Sequence, residues 1–155
     1  MTDDEIESLP AGKETDILVA ERVMRWSRPD PAAESWTRDG NTAIWENSGF
    51  AMQYDPMPCL PRYSECIEEA WKVVQALRER GCEVSVWTST PARAALISHP
   101  AQAASAWWGV EIRDGHPAIP RGFHSTLCYG PTVPLAICRA ALKVEAKRAA
   151  PDVIR

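Results

Sequence analysis

The 155-residue sequence predicts an α+β fold, with a mainly antiparallel sheet of about four strands packed by three helices in an α/β/α-type sandwich. Two patterns indicate this. In three segments apolar residues recur every three or four positions, which is typical of amphipathic helices. Between the second and third of these segments, apolar and polar residues alternate in short runs, which is typical of antiparallel strands. A single domain is predicted over residues 1–155, with residues 150–155 as a frayed tail.

The first helix is predicted from Glu14 to Arg25. Four apolar residues share one face of it: Ile17, Ala20, Val23 and Met24. Asp16, Glu21 and Arg22 are expected to face water. The segment LPAGKE before the helix is predicted as a loop, and the two prolines of SRPDPA end the helix because proline cannot continue its hydrogen-bond ladder.

A hairpin is predicted after the first helix, with Asp39-Gly40-Asn41 as the turn between two short strands. The segment FAMQY is a candidate further strand. The segment DPMPCLP contains three prolines in seven residues, so it is predicted to be an extended loop.

The second helix is predicted to begin at Ser64, whose hydroxyl can accept from an amide of the first turn, and to end at Gly81. Its buried stripe has five members: Ile67, Ala70, Trp71, Val74 and Leu77. Glutamates gather near its start and arginines near its end, which suits the helix dipole.

Three strands are predicted next, in the segments CEVSVWTST, ASAWWGVEIRDG and FHSTLCYG. The core face is predicted from alternation: Val84, Val86, Trp108, Val110 and Ile112. The opposite face then carries Trp87 and Trp107 among polar residues: Glu83, Ser85, Glu111 and Arg113. The last helix is predicted to begin near Pro131, with Thr132 as its cap, Pro134 in its first turn and an apolar stripe over Leu135 to Leu142.

The composition limits the function classes. A net charge of −4 and a pI near 5.4 argue against general nucleic-acid binding. No run approaches the ~20 apolar residues that span a bilayer, and MTDDEIES is acidic where a secretory signal is basic. Five cysteines without a CxxC pair predict free thiols in a reducing cytoplasm.

Signatures of catalysis are missing from the sequence. None of the three histidines lies in a known catalytic motif, and the eight glycines form no phosphate loop. His124 and Cys128 are expected on one face of a strand, where they are either ordinary strand residues or half of a metal or Cys–His site. We therefore expect a non-enzyme with no catalytic residues, no metal and no cofactor.

Three stretches, ETDILVAERVMRW, PRYSECIEEAWKVVQALRERG and VPLAICRAALKVEAK, resemble in that order the signature segments of the phage ABA sandwich domain family. The resemblance covers most of the chain outside two family-atypical insertions, Asp30 to Asp55 and Thr90 to Gln102. The chain departs from the family pattern at Glu65-Cys66 and at Val133. The resemblance implies helices packed on an antiparallel sheet and a phage or prophage origin. It brings no catalytic residues.

The stretch RYS, just before the second helix, has two interpretations. Arg62 can pair with a phosphate, and Tyr63 can stack on a base beside the free amides of a helix start. Alternatively, Tyr63 packs against the helix and Arg62 pairs with an acid, because glutamates on the same turn repel phosphate. The second interpretation, in which RYS is a scaffold, is favoured.

The sequence has seven tryptophans against two phenylalanines. The two tryptophans of the outer sheet face would be exposed among charged residues, so they are expected to need a covering partner. The cover is a loop such as the Thr90 to Gln102 insertion, a second subunit or a small molecule.

The functional hypothesis is a non-enzymatic phage accessory protein, acting in the host cytoplasm, that sequesters a nucleotide-derived immune signal such as a cyclic nucleotide or an ADP-ribose derivative. The candidate binding residues are Arg62, Tyr63, Trp107, Trp108, Arg113 and His124. The alternative is a protein–protein interaction module, either as a homo-oligomer or on a host defence protein.

Overall fold

The computed structural model describes six stretches of the chain: residues 1–28, 35–39, 41–44, 59–89, 107–114 and 124–149. They form an α+β arrangement of helices, a two-stranded antiparallel hairpin and a three-stranded antiparallel sheet. The predicted fold class is confirmed. The strands divide into a sheet and a separate hairpin, where one sheet of about four strands was expected.

The N-terminal helix α1, Asp3–Ser8, was not anticipated from the sequence. Thr2 and Glu5 form a reciprocal capping box, in which each side chain accepts from the other residue's backbone amide. The apolar side chain of Ile6 is fully buried in the core. The pattern T-D-D-E is the sequence signal that marks this helix start.

Helix α2, Lys13–Leu18, continues directly into a π-helical turn, Val19–Val23. The predicted first helix is confirmed in place, but the expected exposure of Asp16 is wrong, because Asp16 is fully buried. Its carboxylate oxygen Oδ1 accepts a hydrogen bond of 2.7 Å from the backbone amide of Ser64, and this bond offsets part of the loss of water. The other oxygen, Oδ2, is buried without a hydrogen-bond partner among the described residues.

The predicted hairpin is confirmed, with β1 at Ser35–Arg38 and β2 at Asn41–Ile44 paired antiparallel. Asp39 adopts a positive φ of 50°, as tight hairpin turns require. Thr37 also exchanges two backbone hydrogen bonds with Ser27, at 2.7 and 2.8 Å, so the hairpin is joined to the segment after the π-turn.

Helix α3 spans Ile67–Glu79 and has Cys66 at its N-cap position, so the predicted start at Ser64 is wrong. Ser64 is buried in the preceding turn, where its hydroxyl accepts a hydrogen bond from Gly12 N–H. The buried face consists of Ala70, Val73, Val74 and Leu77. Trp71 was expected in that stripe but is 47% exposed, because the face is centred closer to Val73. Gly81 has a φ of 84° and ends the helix as predicted.

The three-stranded sheet consists of β3, Cys82–Thr88, β4, Trp108–Asp114, and β5, His124–Gly130, in that spatial order. Its predicted core face is confirmed: Val110 and Ile112 are fully buried, and Val84, Val86 and Trp108 pack against the core.

Helix α4, Val133–Ala149, lies at the centre of the fold, against β4, β5, α3 and the π-turn. Every residue from 134 to 145 is buried, so the helix has no water-facing stripe in that stretch. Its buried polar residues are satisfied by distant partners. Arg139 donates to the Leu9 carbonyl, Lys143 pairs with Glu7, and Glu145 pairs with arginines. As predicted, Thr132 caps the helix, accepting from Leu135 N–H at 3.4 Å.

Several predicted features lie outside the described residues: the FAMQY strand, the tail 150–155, the insertion Thr90 to Gln102 and all of Asp30 to Asp55 apart from the hairpin. The single-domain assignment stays a prediction. Within the described stretches, no helix combines the length and apolar character needed to cross a bilayer.

Candidate functional site

The sheet face turned away from α4 carries a row of aromatic residues. Trp87, Gly109 and Tyr129 lie directly opposite one another on β3, β4 and β5. Trp107, just before β4, has the same side-chain parity as Gly109, and its backbone bonds both to Ser89 and to Gly130. We call Trp87, Trp107, Gly109 and Tyr129 the aromatic shelf.

Gly109 is what allows the Trp87 indole to lie close over β4. A Cβ atom at this position would lie 2.5 Å from Cε2 and 2.7 Å from Nε1 of Trp87. These distances are far below a van der Waals contact, so the Trp87 indole covers the strand where any other residue would place a side chain. Trp87 lies on the outer sheet face as predicted, but it is half-buried, because its ring packs against its own sheet over Gly109.

Trp87 also contacts Tyr129 edge to face, with ring centroids 6.5 Å apart and planes at 89°. The indole Nε1 of Trp87 and the hydroxyl of Tyr129 are both buried, and neither has a hydrogen-bond partner within the part of the chain that the structure describes. A buried polar group without a partner costs about 1–3 kcal/mol. The shelf thus contains two polar groups that would gain from an acceptor.

Trp107 is the accessible member of the shelf, with 57% of its surface exposed. An indole offers a large flat apolar face and one N–H donor, which suits stacking on another planar ring. The backbone of Trp107 is hydrogen-bonded on both sides, to Ser89 and to Gly130. These bonds fix the position of the strand that carries the exposed indole.

The other half of this sheet face is polar. Glu111 accepts from Ser125 Oγ at 2.6 Å and from Arg113 Nη2 at 3.1 Å, and these two hydrogen bonds lower the pKa of Glu111. Arg113 is therefore already paired. It also lies six positions from Trp107 along the strand, or about 20 Å at 3.3–3.4 Å per residue. The predicted residues Trp107 and Arg113 share a face but not a pocket.

The RYS turn is built as a scaffold. Tyr63 is 1% exposed, carries a side-chain hydrogen bond with Trp26, and burial raises its pKa well above the ordinary value. Its ring is therefore a core ring with no free face for a ligand. Arg62 is exposed at the same turn. Ser64, the residue after Tyr63, donates its backbone N–H to Asp16.

The remaining candidates are Trp108 on β4 and His124 on β5. Trp108 is half-buried against the core, on the face opposite the shelf. His124 begins β5, paired in register with Asp114. Cys128 is fully buried, and burial raises the pKa of its thiol to about 11, so it is protonated at neutral pH. The described part of the chain contains no group of three or more His, Cys, Asp or Glu residues arranged for a metal ion.

One feature was missed by sequence reasoning. A polar cavity of about 290 Å³ lies between the end of the π-turn and the hairpin, lined by Arg25, Ser27, Thr37, Arg38 and Asp39. Its two arginines come from segments that the Ser27–Thr37 bridge and the hydrogen bond from Trp36 Nε1 to Glu21 Oε1 bring together. No local sequence pattern marks such a tertiary arrangement.

Comparison with known proteins places the chain. A search of curated proteins finds no match. Among solved structures, a crystal structure of a phage protein from Bacillus cereus ATCC 14579 is 22% identical, with a TM-score of 0.49, and the match covers 87% of this chain and 94% of the other. The family model described as "Phage ABA sandwich domain" matches residues 17–142. This range begins within α2 and contains all three strands of the main sheet and part of α4. The chain belongs to the phage ABA sandwich domain family.

Proposed function

We propose that this phage-family protein is a non-enzymatic accessory protein that acts in the host cytoplasm and counters host defence by sequestering a nucleotide-derived signalling molecule. The observation that carries the proposal is the exposed indole of Trp107, 57% accessible, on the same sheet face as Trp87 and Tyr129. A nucleobase is a planar ring that stacks on such a surface.

The polar groups of the shelf support a base as the stacked ring. Trp87 Nε1 and the Tyr129 hydroxyl are buried without a hydrogen-bond partner among the described residues. A purine or pyrimidine carries acceptor atoms around its edge, and an acceptor at either position would offset the cost of burying these donors. Both atoms are buried, so a base can accept from them only when a ring of the shelf moves aside. A purely aliphatic ligand would leave that cost in place.

The length of the sheet face separates the exposed indole from Arg113, which lies about 20 Å from Trp107 along β4. Cyclic dinucleotides and cyclic ADP-ribose derivatives are closed rings whose bases and phosphates lie much closer together than that. One such molecule stacked on Trp107 would therefore not also reach Arg113, so we assign the base to the aromatic shelf and no phosphate contact to Arg113. The pairing of Arg113 with Glu111 weakens its pull on phosphate.

The experiment is isothermal titration calorimetry against cyclic di- and trinucleotides and cyclic ADP-ribose isomers. Wild type is expected to bind at least one of them, and Trp107→Ala is expected to weaken that binding at least tenfold. Trp71→Ala is the matched control, because Trp71 is also exposed, at 47%, but lies on α3 away from the shelf. Absence of heat and of a thermal shift with every member of the panel would refute the proposal.

A second candidate is favoured by the same exposed tryptophans. Trp71 and Trp107 are large apolar residues at the surface, and such residues are enriched at protein–protein interfaces. In this candidate the chain acts as a homo-oligomer or grips a host defence protein. Light scattering separates the two: an oligomer that dissociates on Trp107→Ala, in a protein that binds no ligand of the panel, favours the interaction module.

A further inference from the structure

The polar cavity between the π-turn and the hairpin stands apart from the aromatic shelf. Arg25, on its wall, pairs with Glu145 of α4, which packs on the inner face of the sheet, whereas the shelf lies on the outer face. Among the described residues, five line the cavity, of which two are arginines and two carry hydroxyl groups: Arg25, Ser27, Thr37, Arg38 and Asp39.

Arg25 is incompletely neutralised. Its Nη2 lies 2.7 Å from Glu145 Oε2, but the same carboxylate also pairs with Arg80 at 2.9 Å and with Arg148 at 3.3 Å. Even with Asp114 pairing to Arg148, three guanidinium groups face two carboxylates in this network. The side chain of Arg25 is 62% exposed, so part of its positive charge faces the cavity.

Arg38 supplies the second guanidinium. Its Nε lies 3.3 Å from Asp39 Oδ2, and its side chain is 39% exposed. A guanidinium has five N–H donors in a planar fork, so one ion pair through Nε leaves its terminal amino groups able to bind an oxyanion. The five wall residues that the structure describes carry two positive charges and one negative charge.

The backbone of the cavity wall is also unusual. Arg25 and Asp39 are the non-glycine residues with positive φ among the described stretches, at 62° and 50°. The left-handed region disfavours a side chain such as arginine, and glycine is the usual residue where a helix ends this way. An arginine in this backbone conformation therefore suggests that its side chain has a role. The ion pair with Glu145 alone is a weak explanation, because Glu145 also pairs with Arg80 and Arg148.

We propose that this cavity binds the phosphate group of a small soluble molecule. A volume of about 290 Å³ lies at the lower end of ligand pockets, so it suits a phosphate, a diphosphate or a sugar phosphate. A long polyanion such as nucleic acid is disfavoured by the chain's net charge of −4, whereas a small ion responds mainly to the two nearby arginines.

The test is calorimetric titration with sodium pyrophosphate in a low-salt buffer without other phosphate. Saturable binding to wild type is expected. Arg25→Gly and Arg38→Ala are each expected to weaken it at least tenfold, and Asp39→Asn to tighten it severalfold because it removes the opposing charge. Glycine and asparagine both tolerate positive φ, so the first and third variants respect the backbone.

Arg22→Ala is the matched control, since Arg22 is an exposed arginine of the same helical segment and does not line the cavity. It is expected to leave the affinity within twofold of wild type, and so is Trp107→Ala, which separates this site from the shelf. The proposal is overturned by an absence of saturable heat with folded wild type, or by equal affinity in Arg25→Gly and Arg38→Ala. Co-sedimentation with phosphatidic acid vesicles without pyrophosphate binding would also overturn it, in favour of a lipid headgroup.

Discussion

The backbone amide of Ser64 donates to the buried carboxylate of Asp16 across 2.7 Å, and the Ser64 hydroxyl accepts from Gly12 N–H at 2.8 Å. These two bonds fasten the turn before α3 to the start of α2. They connect two of the stretches that identify the family, ETDILVAERVMRW and PRYSECIEEAWKVVQALRERG. The RYS turn is therefore a structural joint, and its serine serves the fold.

Replacing Ser64 with alanine tests the joint. The change leaves Gly12 N–H partly buried without its acceptor, which we expect to lower the free energy of unfolding by about 1–3 kcal/mol. Urea unfolding followed by tryptophan fluorescence measures it. Ser85→Ala is the control, because Ser85 is exposed on β3 and should change stability by less than ~0.5 kcal/mol. Equal stability of the two variants would contradict the structural role of Ser64.

Asp16 gives a pH dependence with a defined sign. Burial raises its pKa from the ordinary 3.8 to about 6, against the opposing effect of its hydrogen bond from Ser64. The folded state thus favours the protonated carboxyl, and this contribution to stability is full at low pH and is lost as pH rises through about 6. Asp16→Asn keeps an acceptor for Ser64 but cannot ionise.

We expect the stability of wild type to fall relative to Asp16→Asn between pH 5 and pH 7.5, measured by urea unfolding at each pH. Glu14→Gln serves as control, since Glu14 is exposed and lies two residues before Asp16 on the same helix. A difference between wild type and Asp16→Asn that stays constant over this range would show that Asp16 does not titrate there.

The contact between Gly109 and Trp87 makes a third prediction. Gly109→Ala places a methyl group within 2.5–2.7 Å of the indole, so the ring must move, at a cost of about 1–3 kcal/mol. In a Trp87→Ala background the same change should cost much less, because the obstructing ring is gone. A double-mutant cycle by chemical unfolding measures the coupling. Additive effects of the two changes would mean that the indole does not lie over Gly109.

A fourth prediction concerns Glu145, which is 6% exposed and shared by three arginines. Glu145→Gln leaves these guanidinium groups without their common carboxylate. We expect a loss of about 2–3 kcal/mol, below the ~3–5 kcal/mol for a fully buried pair, because the arginines are partly exposed. Glu111→Gln is the control and should cost less than ~1 kcal/mol, since it breaks a surface pair. Equal losses would remove the special role of Glu145.

The sheet could be predicted from the sequence because alternation reports directly which side chains share a face. Val110 and Ile112 are buried and Trp107 is exposed as that pattern requires. Helix α1 was missed, although Thr2 and Glu5 have the spacing of a capping box, a sequence signal that predicts a helix start.

The failures share one physical cause, which is a partner distant in sequence. Asp16 reads as a surface residue because its partner Ser64 is 48 positions away. Trp87 reads as exposed because only the register shows that Gly109 lies beneath it. The arginine-lined cavity depends on the pairing of Ser27 with Thr37, which cannot be predicted from helical or strand periodicity.

The most direct measurement for the proposed capture function is the indole N–H region of a ¹H–¹⁵N NMR spectrum, recorded while a cyclic di- or trinucleotide or a cyclic ADP-ribose isomer is added. We expect the Trp107 and Trp87 signals to shift with a common saturation curve, while the signal of Trp36, a hairpin residue that is 1% exposed and bonded to Glu21, stays in place. Indole signals that do not move at millimolar concentrations of every ligand would contradict the account.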